Sequence, residues 1–207
     1  MKTIITVQHT QSVHHTNGMV GSWTDWELTP KGKKQAKRIG KSLSKEFPNR
    51  KFVMYSSDLK RAKQTADIIG KYLKVLPTYT EKLRERYLGK CCGKSVEWLK
   101  ANIECPEKSV DDKMFSDAES RRDVWNRLIP FYESIIKSDD EYIIFVSHGD
   151  LLSVFNAMWL GLEVEALNNS EMFGYAGGVS IMFVDDDGKH IIKKLSDLSY
   201  MKSERSL

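Results

Sequence analysis

The sequence predicts an α/β fold, and three observations carry that expectation. Two short apolar runs rich in β-branched residues, Thr3-Ile4-Ile5-Thr6-Val7 and Tyr142-Ile143-Ile144-Phe145-Val146, read as buried strands. Stretches with apolar residues at helical spacing lie between runs of this kind. Both strands end abruptly in polar residues, Gln8-His9-Thr10 and Ser147-His148-Gly149. In α/β proteins, ligands bind beyond the carboxyl ends of the strands. One histidine in such a place reads as a strand cap, whereas two strands that each deliver one point to a site.

The elements follow in order. After the first strand, residues 13–25 mix polar side chains with Gly18 and Gly21 and show no periodicity, so they form a loop. Its length suggests function, and Trp23 and Trp26 argue against disorder. Thr29-Pro30 opens a helix, with Thr29 as cap and Pro30 at the first position, where a missing N–H costs nothing. Ala36, Ile39, Gly40 and Leu43 form its apolar face, the lysines its solvated one, and it ends near Phe47. Phe52-Val53-Met54-Tyr55 is the second strand, followed by a helix capped by Ser57 or Asp58 that places Arg61 in its first turn. There the free N–H groups and the guanidinium attract anions, although a surface arginine is the blander reading.

Val75-Leu76-Pro77-Thr78 is expected as a short edge strand. In Leu83-Arg84-Glu85-Arg86-Tyr87-Leu88-Gly89, spacing alone makes Glu85 a salt-bridged surface carboxylate. From Ser95 to Lys137 two helical patterns flank a loop over 104–117, and this excursion is expected to cover the site. Trp98, Met114, Phe115 and Trp125 are its candidates for a specificity pocket, against the alternative that they are core. A helix runs from Asp150 to about Leu160, and Asp-Gly between two β-rich runs, 179–184 and 191–195, reads as a hairpin with His190 at the surface.

The 207 residues fit one domain, 1–207, with a helical insertion at about 95–140, and no repeats or low-complexity segments interrupt them. The 41% hydrophobic and 29% charged composition is that of a soluble globular protein. A net charge of +4 from well-mixed residues gives no basic face for nucleic acid. No run approaches membrane-spanning length and the start of the chain lacks a signal-peptide pattern, so a cytoplasmic protein is expected. Cys91, Cys92 and Cys105 read as reduced thiols, the first two as packing residues.

The segments around His9, GSWTDWELTPKGKKQA, SSDLKRAKQTA, LRERYLG and SHG, in this order, resemble the histidine phosphatase superfamily, also called phosphoglycerate-mutase-like. The resemblance spans nearly the whole chain. It implies a three-layer sandwich, a mostly parallel central sheet with helices on both faces. It implies His9 as the phosphorylated residue, Arg61 as the phosphate-binding arginine, Glu85 as the proton donor and His148 as the second histidine of the pocket. His15 matches the place of a phosphate-contacting asparagine, and Gln8 and Gly149 complete the expected phosphate contacts. The family usually begins Arg-His-Gly where this chain has Gln8-His9-Thr10. Losing one charge-assisted contact costs about 1.5–3 kcal/mol, which weakens a pocket without removing its nucleophile.

The expected activity is therefore hydrolysis of phosphate monoesters through a phosphohistidine, on a small phosphorylated metabolite, with no cofactor and no metal. The alternatives are a phosphoglycerate-type mutase, which shares the core but tends to be longer, and a non-catalytic phosphate-ligand protein. A metal hydrolase built on His9, His14, His15 and His148 is set against the expectation that the adjacent His14 and His15 point apart. Neither nucleic acid nor membrane is expected as a partner. Oligomeric state stays open, with a homodimer among the options.

Overall fold

Neighbouring residues of a strand face opposite sides of a sheet, so Ile4-Ile5 and Ile143-Ile144-Phe145-Val146 need two apolar layers to bury them. Both layers are present. The computed structural model describes residues 2–202, in which the strands are β1 (Thr3–Gln8), β2 (Phe52–Ser57), β3 (Thr78–Thr80), β4 (Tyr142–Ser147), β5 (Val179–Val184) and β6 (His190–Asp197). They form one sheet in the order β3-β2-β4-β1-β5-β6. The first four are parallel and β5 runs antiparallel to β1 and to β6.

The main helices are α1 (His14–Asn17), α2 (Pro30–Glu46), α3 (Lys60–Leu73), α4 (Val96–Asn102), α5 (Arg121–Lys137) and α6 (Gly149–Trp159). On one face of the sheet, Ile39 and Leu43 of α2 and Ala62, Ala66 and Ile69 of α3 pack on Ile5, Val7, Met54, Ile144 and Val146. On the other, Val124, Leu128 and Phe131 of α5 and Leu151, Phe155 and Trp159 of α6 pack on Ile4, Ile143 and Phe145. The result is the expected three-layer α/β sandwich with a mostly parallel sheet.

Local chemistry explains most boundaries. Thr29 caps α2 by accepting a hydrogen bond from Gly32 N–H, with Pro30 at the first position. A Ser120–Asp123 capping box starts α5. The cap of α3 differs from expectation. Leu59 occupies that position, Ser57 Oγ accepts its N–H, and Asp58 is drawn off into an ion pair with Arg84. The edge strand is also displaced, to Thr78–Thr80, because Pro77 has no N–H to give to the ladder. Leu76 stands 90% exposed before it.

β1 and β4 are neighbours, and their following connections leave to opposite faces, α2 to one and α6 to the other. That divergence opens a crevice at their carboxyl ends, where His9 and His148 lie. The Trp98 and Phe115 rings stack on each other, in a satellite core with Val20, Cys91 and Ala118, and Trp125 packs into the main core. None of the four expected pocket residues lines the crevice. Among the described residues no helix is long and apolar enough to cross a membrane.

Candidate active site

A cavity of about 210 Å³ opens at this crevice, lined by Gln8, His9, His14, His15, Gly21, Ser22, Arg61, Glu85, Arg86, Leu88, Gly149, Asp150 and Phe173. His9 follows the last residue of β1 and is buried. Its Nδ1 is 2.9 Å from the Thr10 carbonyl oxygen. A carbonyl can only accept, so the proton sits on Nδ1 and the Nε2 lone pair is free. Arg61 Nε donates to that lone pair at 3.1 Å. Burial first, then the Arg61 charge, holds the His9 imidazole well below its usual pKa, so it is neutral.

Arg61 is buried in the first turn of α3, as the sequence predicts. Its Nη1 and Nη2 donate to the carbonyls of Thr24 and Ser22, both at 2.8 Å. A guanidinium has five N–H donors, so two remain for a ligand. Burial lowers its pKa to about 10, which leaves it charged at neutral pH.

Ser22 joins three segments. Its hydroxyl donates to the Arg86 carbonyl and accepts from Leu88 N–H, both at 2.9 Å, while its backbone adopts a left-handed φ of 48°. Such a conformation costs of order 1–3 kcal/mol in a residue other than glycine, and the surrounding bonds hold it. The loop over 13–25 is thus fastened to the site, and Trp23 Nε1 donates to the Glu85 carbonyl at 2.6 Å.

His148 stands at the N-cap position of α6 without a side-chain capping bond and is fully buried. Ser57 Oγ lies 2.9 Å from its Nε2 and already accepts from Leu59 N–H. A hydroxyl can accept two bonds or give its own proton, and when it gives that proton to Nε2 the imidazole proton is on Nδ1. That Nδ1 has no partner among the described residues. A buried donor without a partner costs about 1–3 kcal/mol, and it is the kind of group an anion satisfies. Burial, followed by the charge of Arg61, keeps His148 neutral as well.

Glu85 is half-buried, and the salt bridges that spacing suggests do not form. Arg84 pairs with Asp58 and Glu81. Arg86 forks onto Glu107 and lies 2.9 Å from Asp150, the latter without hydrogen-bond alignment. Glu85 Oε1 instead accepts the N–H groups of Arg86 at 3.0 Å and of Leu151, in the first turn of α6, at 3.3 Å. Burial and then the Asp150 charge outweigh these bonds and push the Glu85 carboxyl up to about 7. Arg127 of α5 fixes the backbone of this segment by donating to the carbonyls of Lys82 at 2.8 Å, Arg84 at 3.1 Å and Glu85 at 3.3 Å.

His14 and His15 do not point apart. Both lie on the single turn of α1 and both Nδ1 atoms approach Ser12, His14 at 2.7 Å from its Oγ and His15 accepting its N–H at 3.1 Å. Their ring centroids are 4.0 Å apart, and His15 stacks on His9 at 5.4 Å. His9, His14 and His15 each bring one nitrogen within 4.8 Å of the others, a spacing open to a metal ion. The buried Arg61 cation, hydrogen-bonded to the His9 nitrogen, opposes one by like charge. Burial and the neighbouring His15 hold His14 down at about 3.

The structure thus gathers Gln8, His9, His15, Arg61, Glu85 and Gly149 around one cavity, with His148 beneath it, its ring 5.0 Å from that of His9. Sequence reasoning missed Ser22, Ser57, Asp150 and Phe173. Asp150 directly follows the Ser-His-Gly segment and was within reach of motif reading. Phe173 lies in an irregular stretch with no periodic signal.

Comparison with known proteins agrees with this geometry. A profile of the histidine phosphatase superfamily (branch 1) matches residues 4–197. The chain is 30% identical to a metal-independent phosphoserine phosphatase of Arabidopsis thaliana over 210 residues, covering 97% of this chain and 83% of that one. It is 25% identical to a glucosyl-3-phosphoglycerate phosphatase of Mycolicibacterium vanbaalenii over 193 residues, covering 87% and 82%. Among solved structures, Bacillus stearothermophilus YhfR superimposes with a TM-score of 0.79 at 25% identity, over 98% of this chain and 100% of that one. A mycobacterial glucosyl-3-phosphoglycerate phosphatase complexed with VO3 gives 0.81 at 22% identity, over 95% and 99%. With its five motifs in order, its fold and this match across almost its whole length, the chain belongs to the histidine phosphatase superfamily.

Proposed function

We propose that the protein hydrolyses small phosphate monoesters in two steps through a phosphohistidine at His9. One observation carries this reading. The Thr10 carbonyl holds the His9 proton on Nδ1, which leaves a neutral Nε2 lone pair facing the cavity beside a buried arginine. A phosphate dianion entering the cavity competes for the Arg61 guanidinium, and its arrival releases the lone pair for in-line attack on phosphorus. The P–N bond forms as the P–O bond to the alcohol breaks.

The transferring group carries its charge on three oxygens, and preorganised donors stabilise it. Arg61 contributes its two uncommitted N–H groups, and His148 contributes its unpartnered Nδ1–H. His15, on the exposed side, and Gly149, at the start of α6, complete the ring of contacts. Glu85, raised to about 7, carries a proton for the departing alkoxide. It then accepts one from the water that attacks the phosphohistidine, returning the enzyme to its first state. Every step is thus assigned to a side chain of this protein.

The test is phosphate release from p-nitrophenyl phosphate and alkyl phosphates by chelator-treated protein, wild type beside His9→Ala. Turnover that survives the chelator and is lost in the variant is expected, together with acid-labile, base-stable 32P labelling of the wild type. Turnover abolished by the chelator and restored by zinc would shift the reading to a metal site on His9, His14 and His15. A mutase would instead interconvert phosphoglycerates when primed with a bisphosphate and release little phosphate.

A further inference from the structure

Glu85 can serve as an acid only while it keeps its proton, and a charge at its side favours that. The first turn of α6 meets the carboxyl. Leu151 N–H donates to Glu85 Oε1 at 3.3 Å, and Asp150, one residue earlier, lines the same cavity. A carboxylate beside a carboxyl disfavours a second negative charge. That holds only if no cation cancels Asp150 first, and Arg86 is within reach, its Nε 2.9 Å from Asp150 Oδ2.

The Arg86 guanidinium is turned elsewhere. It is 3% exposed, and its Nη1 and Nη2 fork onto Glu107 Oε1 and Oε2 at 2.5 and 3.2 Å. A bidentate fork fixes the plane of a guanidinium and with it the direction of Nε–H. That Nε–H is left out of line with Asp150, a buried donor with no hydrogen-bond partner among the described residues. Hydrogen bonds weaken steeply as the angle closes, so Arg86 gives Asp150 a neighbouring charge without a bond.

Glu107 does not line the cavity; it lies in the loop between α4 and α5. The loop is tied down close by, where Val110 N–H donates to Asn168 Oδ1 at 2.7 Å and Arg122 N–H to the Val110 carbonyl at 3.0 Å. Its grip on Arg86 is therefore part of the folded frame.

The other groups that face Glu85 do not supply the same influence. Arg61 of α3 is a cation and acts in the opposite sense. Arg127 of α5 donates to the Glu85 carbonyl and is paired with Glu119. His9 and His148, at the strand ends, and His14 and His15 of α1 all have lowered pKa values. Among the residues lining the cavity, Asp150 is the one carboxylate beside Glu85.

Resting on the hydrolase reading, we propose that Asp150 and Glu107 are positioning residues for the acid. Glu107 holds Arg86 off, so that the Asp150 charge stays open to Glu85 and keeps the proton there until the alkoxide departs. A residue outside the cavity thereby helps to set the pH range in which the enzyme works.

The experiment follows kcat/KM for an alkyl phosphate from pH 5.5 to 9 in the wild type, Asp150→Asn and Glu107→Gln. Asp150→Asn keeps the shape and removes the charge, so the decline at high pH should begin about one unit lower. The variant should then be about tenfold slower than wild type at pH 8 and within about threefold at pH 5.5. Glu107→Gln frees Arg86 to align with Asp150, so its decline should move in the same direction. A merely structural role would lower kcat/KM at every pH and leave the decline in place. A decline that stays in place in either folded variant would overturn the proposal, and Glu107→Gln carries the test if Asp150→Asn does not fold. The 13C carboxyl resonance of Glu85, assigned by its absence in Glu85→Gln, titrates without substrate and separates the two readings. If the wild type turns over no ester the hydrolase reading fails, while a downward shift of this titration in the variants upholds the role of Asp150 and Glu107 and an unmoved one refutes it.

Discussion

Replacing Glu85 by glutamine tests the proton chemistry without altering shape. The glutamine amide would still present an oxygen to the N–H groups of Arg86 and Leu151, which hold Glu85 Oε1 at 3.0 and 3.3 Å. It would be neutral, as the protonated acid is, so the charge of the cavity at pH 6 changes little. What it cannot do is transfer a proton. General acid–base catalysis contributes about 10²–10⁴-fold, or roughly 3–5 kcal/mol of barrier, so alkyl phosphate hydrolysis should fall by that factor.

The leaving group and the pH separate this explanation from a general loss of fit. p-Nitrophenolate leaves without help, so the variant should still phosphorylate His9 with that ester and release one equivalent in a burst. It should then stall, because no base activates the water. In the wild type, kcat/KM for an alkyl ester should decline about tenfold per pH unit above pH 7, where Glu85 loses its proton. This decline should vanish in Glu85→Gln. Stopped-flow absorbance and a pH series from 5.5 to 9 supply the measurements. A variant within tenfold of wild type on alkyl esters, or one that keeps the decline above pH 7, would refute the assignment of the acid to Glu85.

Three further outcomes follow from the same contacts. Ser57→Ala removes the hydroxyl bonded to His148 Nε2 and Leu59 N–H, at about 1–1.5 kcal/mol, so phosphate affinity measured by calorimetry should fall about tenfold, with a loss of a few degrees in Tm because two buried polar groups lose a partner. Arg86→Met leaves Glu107 and Asp150 facing each other, and urea unfolding should show a loss of about 2–3 kcal/mol, less than for a fully buried pair because both carboxylates keep some contact with water. Buried His9 and His148 and half-buried His14 have lowered pKa values, so the unfolded chain binds more protons below pH 6.5, and their support of the fold is present above that pH and lost as it falls. Glu85 opposes this with one raised group, whose contribution is lost as pH rises through about 7. The net effect should be lower unfolding free energy at pH 5.5 than at pH 7.5, by about 1.4 kcal/mol per unit for each net proton, and equal values would refute it.

How much of this was legible in the sequence depended on whether the information was local. β1 and β4 announce themselves by β-branched runs, and the polar residues that stop them carry His9 and His148. Thr29-Pro30 and Arg61 are local signals of helix starts, and the structure places them there. The edge strand was displaced because Pro77 has to precede its ladder. Glu85 read as a surface ion pair because its sequence neighbours are arginines. Their partners, Asp58, Glu107 and Asp150, come from elsewhere in the chain. The His14–His15 approach was hidden for a similar reason, since Ser12 turns both rings the same way. Phe173 depends on two side chains of α6 that hold Met172, and nothing near residue 173 reports that.

The protonation states of the site share one origin, which ties the fold to the chemistry. The sheet buries the ends of β1 and β4, and burial is the largest influence on His9, His148, Arg61 and Glu85. It acts on each in the direction that opposes charge. The histidines respond by staying neutral, one as a lone pair and one as an N–H donor, and the carboxyl responds by keeping its proton to about pH 7. Arg61 cannot respond, because its pKa, even lowered to about 10, lies above neutrality. The cavity therefore holds an obligatory cation with two free donors among groups that burial has made neutral. On the function proposed above, a phosphate dianion answers that arrangement, by pairing with the cation and accepting from the unpartnered His148 Nδ1–H in one event.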